Sequence, residues 1–218
     1  MGMRGLGIAG TIALFCWTAC DVLDTSTPDF SNICVPQYSR AEVPTSLWTE
    51  VSPPESPAAR NLAMSVYDEA NDRLVLFGGK GENDTIYGDT WVFAPATDTS
   101  GAARWTELKP MGTAPAARRA AVLAYDAKNN RMMLALGGDE KNGFKDTFVL
   151  SNANGLGGMP QWTKLSTTND GPFRTYAVSS YDPKTNTLFV FGGYDGPDAK
   201  DEVWTLSNAN GMDTTPST

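Results

Sequence analysis

The side chains that most often carry catalysis and metal binding are scarce in this sequence. It contains no histidine and only three cysteines, Cys16, Cys20 and Cys34. Without histidine, a Ser–His–Asp triad, a Cys–His dyad and imidazole metal sites are excluded. The motifs Ser-x-x-Lys, Gly-x-Ser-x-Gly and Gly-x-x-x-x-Gly-Lys are also missing. We therefore predict no catalytic residue, metal or cofactor, although the many loop acids leave a carboxylate pair for glycosidic cleavage open as an alternative.

Three arginines are the best candidates for ligand recognition. Arg60, Arg118 and Arg174 each precede a tyrosine by seven residues (67 − 60, 125 − 118 and 181 − 174). A guanidinium group can bind a carboxylate or phosphate through two parallel hydrogen bonds. The structural alternative is that each arginine pairs with a loop acid or with backbone carbonyls of a neighbouring repeat. With the arginines we group one aromatic residue from each of three loops that differ in length and sequence, a place where specificity often resides: Tyr87, Phe144 and Tyr194.

The arginines belong to a pattern that occurs three times. A Trp-Thr segment begins at residues 48, 105 and 162, so the interval is 57 residues (105 − 48 and 162 − 105). It is followed by proline, by the arginine, by a Tyr-Asp pair, and by a short apolar run that ends in two glycines. An acidic residue and an aromatic residue complete the pattern. The residues that define the repeat are Trp48, Trp105 and Trp162; Gly78, Gly79, Gly137, Gly138, Gly192 and Gly193; and Trp91, Phe148 and Trp204.

Each repeat predicts four short strands, A to D. Strand A ends at the Tyr-Asp pair, strand B at the glycine pair, strand C carries the later aromatic, and strand D is the Trp-Thr segment. The glycines are expected where backbones approach closely or where φ is positive. The second repeat has one extra residue between Tyr125 and its glycines, which predicts a bulge or a longer turn. The recurring aromatic residues are expected in the core.

Four strands, a diglycine after the second strand and an aromatic in the third resemble the kelch repeat, over residues 48–206. The resemblance implies an all-β fold made of β-propeller blades around a channel, with strand A innermost and strand D outermost. It also places the three arginines at one channel mouth. The propeller region spans 47–218, with repeats at about 48–104, 105–161 and 162–218, and the last repeat lacks its outer strand.

Three blades are fewer than the four to eight of typical propellers. Two explanations remain open. The sequence is the N-terminal part of a longer, truncated propeller, or two copies form a homodimer with six blades through unpaired blade edges.

The N-terminal residues indicate export. Residues 5–17 are uncharged, too short to span a bilayer as a helix and typical of a signal peptide, which we place at 1–19. The Thr-Ala-Cys sequence that ends at Cys20 resembles a bacterial lipobox, which implies lipidation of Cys20. The alternatives are ordinary secretion after cleavage near Ala19 and a retained anchor. If Cys20 is not lipidated, it can form a disulfide with Cys34. Residues 20–46 are polar and predict a tether.

These observations predict an exported binding module of the cell envelope that recognises protein or carbohydrate. It is held at a membrane surface by its lipid alone, or it is secreted. A net charge of −8 without basic runs argues against nucleic acid as a partner. The alternatives are a propeller enzyme that acts on glycans and a non-functional fragment of a longer propeller protein.

Cys20→Ser should release the protein from membranes, because the acyl chains on Cys20 would be its membrane anchor. Fractionation of cells that express each form, with the intact mass of the membrane-extracted wild type, measures this. A Cys20→Ser protein that still sediments with membranes would contradict lipidation.

Overall fold

The computed structural model describes residues 46–139 and 141–212, so the predicted signal peptide, Cys20, Cys34 and nearly all of the tether lie outside the described residues. The helices in the described part are two three-residue 3-10 turns, Glu69–Asn71 and Glu82–Asp84, and neither could cross a membrane. The strands are β1 Met64–Asp68, β2 Arg73–Lys80, β3 Ile86–Ala94, β4 Arg104–Leu108, β5 Met111–Gly112, β6 Val122–Asp126, β7 Arg131–Ala135, β8 Thr147–Ser151, β9 Gln161–Lys164, β10 Val178–Asp182, β11 Thr187–Phe191, β12 Tyr194–Asp195, β13 Asp198–Ala199 and β14 Val203–Ser207.

The strands form three successive antiparallel blades. Blade 1 has the order β1-β2-β3-β4, blade 2 the order β6-β7-β8-β9, and blade 3 the order β10-β11-β14. The short strand β5 adds to the edge of blade 2 in parallel with β9, which the sequence did not predict. The prediction of all-β kelch-type blades is confirmed, and within the described residues the last blade lacks its outer strand. The innermost strands pack in sequence, with β6 between β1 and β10.

The first hairpin of every blade has the same register. Asp68 faces Arg73, Asp126 faces Arg131, and Asp182 faces Thr187. Each hairpin therefore has four loop residues, and the last of them adopts a left-handed conformation with φ near 50°. These residues are Asp72, Asn130 and Asn186, whose short polar side chains tolerate that conformation.

The extra residue of the second repeat does not lengthen the turn or bulge the strand, so that expectation was wrong. The equal registers instead place Leu136 where the other blades have Gly78 and Gly192. Leu136 has a φ of 61°, close to 63° at Gly78 and 66° at Gly192. The hydrogen bonds agree, since Gly79 donates to the Arg118 carbonyl and Gly137 to the Arg174 carbonyl. The glycine pair of blade 2 has thus moved one residue along the chain.

The core lies between the blades. Side chains that alternate along the middle strands point to opposite neighbours, so blade 2 is buried on both faces. Phe77 of blade 1 meets the ring of Trp162 of blade 2 edge-on, with centroids 5.6 Å apart. Met132 and Leu134 pack into the same cluster, whereas Met133 and Ala135 pack toward blade 3.

A polar network joins the blades at the ends of their hairpins. The amide of Asn154 in blade 2 donates to Asp68 of blade 1 over 2.6 Å, and Asn210 of blade 3 donates to Asp126 of blade 2 over 2.7 Å. Burial opposes ionisation of Asp68, but hydrogen bonds from its neighbours, Asn154 foremost, outweigh it and lower its pKa. Burial and the charge of Asp126 raise the pKa of Tyr181 to about 12. The repeated Tyr-Asp pair thus connects each blade to the next.

The repeated aromatic residues are not all buried, which corrects the prediction that they form the core. Phe148 and Trp162 are buried, Trp91 and Trp105 are half-buried, and Trp204 is 38% exposed. Trp48 is fully exposed and belongs to no strand, so the predicted strand D at 48–51 is absent from the fold. The physical reason is that these side chains lie on faces or edges that no other described blade covers.

Gly78→Ala should destabilise the fold more than Gly196→Ala. Both glycines have the same conformation, with φ of 63° and 62°. A Cβ on Gly78 would lie 2.4 Å from the Arg118 carbonyl oxygen, whereas a Cβ on Gly196 would meet nothing within 4 Å. Strain alone should cost about 1 kcal/mol at Gly196, and the clash should add about 2 kcal/mol or more at Gly78. Urea unfolding of both variants measures the difference, and equal losses would contradict the close approach of the blades.

Candidate functional site

Each of the three repeated arginines forms an ion pair within its own blade. Arg60 holds Asp89 in a bidentate pair, with Nη1–Oδ1 at 2.6 Å and Nη2–Oδ2 at 2.9 Å. Arg118 donates to Asp146 over 2.8 Å, and Arg174 donates to Glu202 over 2.8 Å. Each acid stands two residues before the aromatic residue of strand C. The repeated arginine and the repeated acid before the aromatic residue of strand C are therefore partners of each other.

Backbone carbonyls satisfy further arginine donors. Nη1 of Arg60 donates to the Gly78 carbonyl and Nη1 of Arg118 to the Leu136 carbonyl, at 3.0 and 2.9 Å. The carbonyls belong to the arginine's own blade, not to a neighbouring one as the structural alternative expected. The guanidinium group thereby fixes the backbone at the left-handed residue that follows strand B.

Two of the predicted ligand-binding aromatics pack against these arginines. The Arg60 guanidinium lies 4.1 Å from the centre of the Tyr87 ring, and that of Arg118 lies 4.4 Å from the Phe144 ring. The arginine side chains are almost entirely buried, at 6% exposure or less. Burial raises the pKa of Asp89, but hydrogen bonds from Arg60 and Trp91 outweigh it and hold the pKa below its ordinary value. The arginine side chains are therefore used within the blades, whereas Tyr87, Phe144 and the paired acids remain partly exposed.

The positions next to the arginines are more open. In each blade the residue after the arginine pairs, through two backbone hydrogen bonds of 2.8–3.1 Å, with a residue at the end of strand B or shortly after it. The pairs are Asn61 with Lys80, Arg119 with Gly138, and Thr175 with Tyr194. The backbone is the same in all three blades, but the side chains differ in charge and size.

The next residue along the chain joins successive blades. Leu62, Ala120 and Tyr176 all have positive φ, between 48° and 59°. Ala120 donates to the Leu62 carbonyl and Tyr176 to the Ala120 carbonyl, both over 3.0 Å. A chain of backbone hydrogen bonds therefore runs from blade to blade beside the innermost strands. It holds one variable side chain of each blade close to those of the next.

Arg119, Tyr176 and Tyr194 come together on this frame. Arg119 Nη1 donates to the Tyr176 hydroxyl over 2.8 Å, and the two tyrosine rings meet edge-on with centroids 6.1 Å apart. Tyr176 and Tyr194 are 49% and 45% exposed. Arg119 is half-buried. The three side chains offer a cation and two aromatic faces to a ligand.

A charged pair extends the same surface. Lys80 Nζ lies 2.6 Å from Asp84 in the loop after β2. The hydrogen bond from Lys80 lowers the pKa of Asp84. The Asn61–Lys80 pair adjoins the Arg119–Gly138 pair, because the backbone of Ala120 donates to the carbonyl of Leu62. We call these five residues, Lys80, Asp84, Arg119, Tyr176 and Tyr194, the rim surface.

The structure places the sequence candidates in two groups. Five of the six, the three arginines with Tyr87 and Phe144, take part in contacts within their blades, and Tyr194 lies on the rim surface. Tyr176 was missed. Its signal was available, because it stands two residues after the repeated arginine, where Leu62 and Ala120 occupy the other repeats.

Arg118→Lys should destabilise the fold although it keeps the charge. Arg118 has no exposed surface and uses one fork to reach the Ala116 and Leu136 carbonyls and Asp146. A lysine ammonium cannot hold all three, so we expect a loss on the order of 2–3 kcal/mol. Arg119→Lys, at the adjacent half-buried position, should change stability by about 0.5 kcal/mol or less. Urea unfolding measures both, and an equal effect at the two positions would contradict the structural assignment of Arg118.

The comparisons with known proteins agree with the fold. A family model described as the KLHDC2/KLHL20/DRC7 Kelch-repeats domain matches residues 37–210. No curated protein matches the chain at a significant level. A solved structure titled "Structure of YjhT" is similar at 20% identity and a TM-score of 0.50, over 68% of this chain and 43% of that one. This chain therefore spans less than half the length of that protein, and the likeness shows the fold alone. Because the kelch model covers most of the chain and the blades have the strand order that the repeats predict, this protein belongs to the kelch-repeat family.

Proposed function

We propose that this protein is an exported, lipid-anchored kelch module of the cell envelope that binds a protein ligand through the rim surface. The observation that carries the proposal is the contrast between fixed and variable positions. The arginine, its acid and the glycine pair recur in the blades, whereas the residues beside them form the partly exposed rim surface, whose side chains differ from blade to blade. A repeated frame with variable side chains is the usual arrangement of a binding scaffold.

The chemistry of the rim surface suits a polar protein segment. Arg119 gives this surface a positive charge, and the exposed Asp84 can accept hydrogen bonds from a cation or an amide. Tyrosine and arginine are enriched among the residues that dominate binding energy at protein interfaces. The mixed charges favour a ligand with both an acidic and an apolar group over a simple anion.

Carbohydrate is the second candidate ligand, because Tyr176 and Tyr194 expose adjoining aromatic faces that a sugar ring can stack on. The glycan-acting enzyme is less well supported. A glycosidase needs a carboxylic acid with a raised pKa. Among the described residues, every carboxyl group whose pKa is shifted is shifted downward, from Asp68 to Glu202.

Selection from a random displayed-peptide library tests the proposal without knowledge of the natural ligand. We expect binders selected on the wild type to lose at least tenfold in affinity for Arg119→Ala and for Tyr194→Ala. Lys128→Ala, in the β6–β7 turn, is the matched control and should leave binding unchanged. A glycan array probed with the same four proteins tests the second candidate in the same way.

Binders whose affinity is the same for wild type and both rim variants would contradict the rim surface as the binding site. Circular dichroism and urea unfolding of the variants accompany the binding assay. The side chains of Arg119 and Tyr194 are at least partly exposed, so their truncation to alanine should leave the blades folded.

A further inference from the structure

The outer edge of blade 3 contains an apolar pocket beside the open edge of its last described strand. Among residues 46–139 and 141–212, strand β14 pairs with β11 alone and is the last strand of its sheet. The pocket lies between blade 2 and blade 3, and Trp204, one of its walls, remains 38% exposed. The apolar residues among its walls are Ala135, Leu136, Pro172, Leu188, Val190, Trp204 and Leu206.

The junction between blades 1 and 2 shows what fills the corresponding space. There, Trp162 of strand D contacts Phe77 and Phe148, with ring centroids 5.6 and 6.4 Å away. It is 3% exposed and shares a cluster with Met132, Leu134 and Leu150. The strand registers match each of these neighbours to a residue of the pocket. Phe77 corresponds to Ala135, Phe148 to Trp204, Met132 to Leu188, Leu134 to Val190 and Leu150 to Leu206. The pocket is therefore the position of a strand D tryptophan for blade 3.

One described segment has the required sequence and is not used. Residues 48–51 read Trp-Thr-Glu-Val, as in the Trp-Thr-Glu-Leu of β4. They form no strand, and Trp48 is fully exposed. If the segment paired with β14 as β9 pairs with β8, Trp48 would face Leu206, Thr49 would face Thr205 and Val51 would face Val203. Trp48 would then point into the pocket.

The connections of the other repeats indicate that the segment of the same chain belongs on the opposite side of the fold from this pocket. Each strand D belongs to the blade that precedes its arginine, as β4 precedes Arg118 and β9 precedes Arg174. Trp48 stands 12 residues before Arg60, and Trp162 stands 12 before Arg174 (60 − 48 and 174 − 162). By the same connection, residues 48–51 belong beside the face of blade 1 that is turned away from blade 2. Blade 3 lies beyond blade 2.

We propose that the Trp48–Val51 segment of a second copy of this chain completes blade 3, and that the exchange is mutual. The three described blades of each copy then make six, within the range of closed propellers, with two identical junctions related by a twofold axis. The uncovered apolar faces of blades 3 and 1 agree with this arrangement. Phe189 and Phe191 of β11 are 39% and 50% exposed, although their counterparts in blades 1 and 2 are buried against the next blade. The half-buried Trp91 and Trp105 of blade 1 provide the apolar surface that they would cover.

Light scattering on the full chain, with its three cysteines replaced by serine, tests the proposal. We expect a particle of twice the chain mass of 23.4 kDa. Trp48→Ala should shift the protein to the monomer at the same concentration, because the pocket loses its occupant. Thr49→Ala removes a side chain from the other face of the same strand and should leave the dimer in place.

A cysteine pair then tests the register. Thr49→Cys with Thr205→Cys in the cysteine-free chain should form disulfide-linked dimers under mild oxidation. Glu50→Cys with Thr205→Cys places the two sulfurs on opposite faces and should form far fewer. A monomeric wild type, or a dimer that survives Trp48→Ala while the first cysteine pair fails to cross-link, would overturn the proposal. Neither result would affect the rim surface, whose test measures peptide binding by Arg119 and Tyr194.

Discussion

The fold depends on one requirement, that each blade bury both of its apolar faces against another blade. A twisted four-stranded sheet with apolar side chains on both faces cannot bury them alone. Blade 2 meets the requirement, since Met132 and Leu134 pack toward blade 1 while Met133 and Ala135 pack toward blade 3. The flanking blades meet it on one face each. The exposed Phe189 and Phe191 of blade 3, whose counterparts in blades 1 and 2 are buried, are consequences of that arrangement and not isolated surface hydrophobics.

The same requirement explains why the repeated polar residues are structural. To bring two sheets into contact, the chain must pass from the outer strand of one blade to the inner strand of the next. Its backbone N–H and C=O groups must keep hydrogen-bond partners along that connection. The ion pair between the repeated arginine and its acid holds this connection in place. The Arg118 side chain holds the acid and a carbonyl of blade 2, while its backbone accepts from Gly79 and donates to Tyr87 of blade 1. Arg174 acts similarly, because its carbonyl accepts from Gly137 of blade 2 while its side chain donates to Glu202 of blade 3. Arginines held in this way are poorly available to a ligand.

Much of the architecture could be predicted because it repeats. The strand order, the missing outer strand of blade 3 and the close approach at Gly78 follow from motifs that occur three times. The candidate site could be predicted only in part. Repetition also drew attention to Arg60, Arg118 and Arg174, whereas the rim surface lies at positions where the repeats differ. Tyr176 could have been found by comparing the residue two places after each arginine, but its contact with Arg119 depends on the angle between two blades, which no single repeat encodes.

Blade 2 shows why the alignment of a motif is not the alignment of a structure. The sequence aligns Gly137-Gly138 with Gly78-Gly79, but the hairpin register aligns Leu136-Gly137 with them. A leucine with positive φ costs about 1–2 kcal/mol. Its side chain is 3% exposed within the core between blades 2 and 3, and that burial contributes about 2 kcal/mol in return. Gly138 is then free to serve the following loop, where a Cβ would lie 2.6 Å from the Asn142 carbonyl oxygen. Gly138 thus permits the tight loop beside Arg119. Leu136 occupies the positive-φ position whose carbonyl Arg118 holds, and the burial of its side chain offsets the strain.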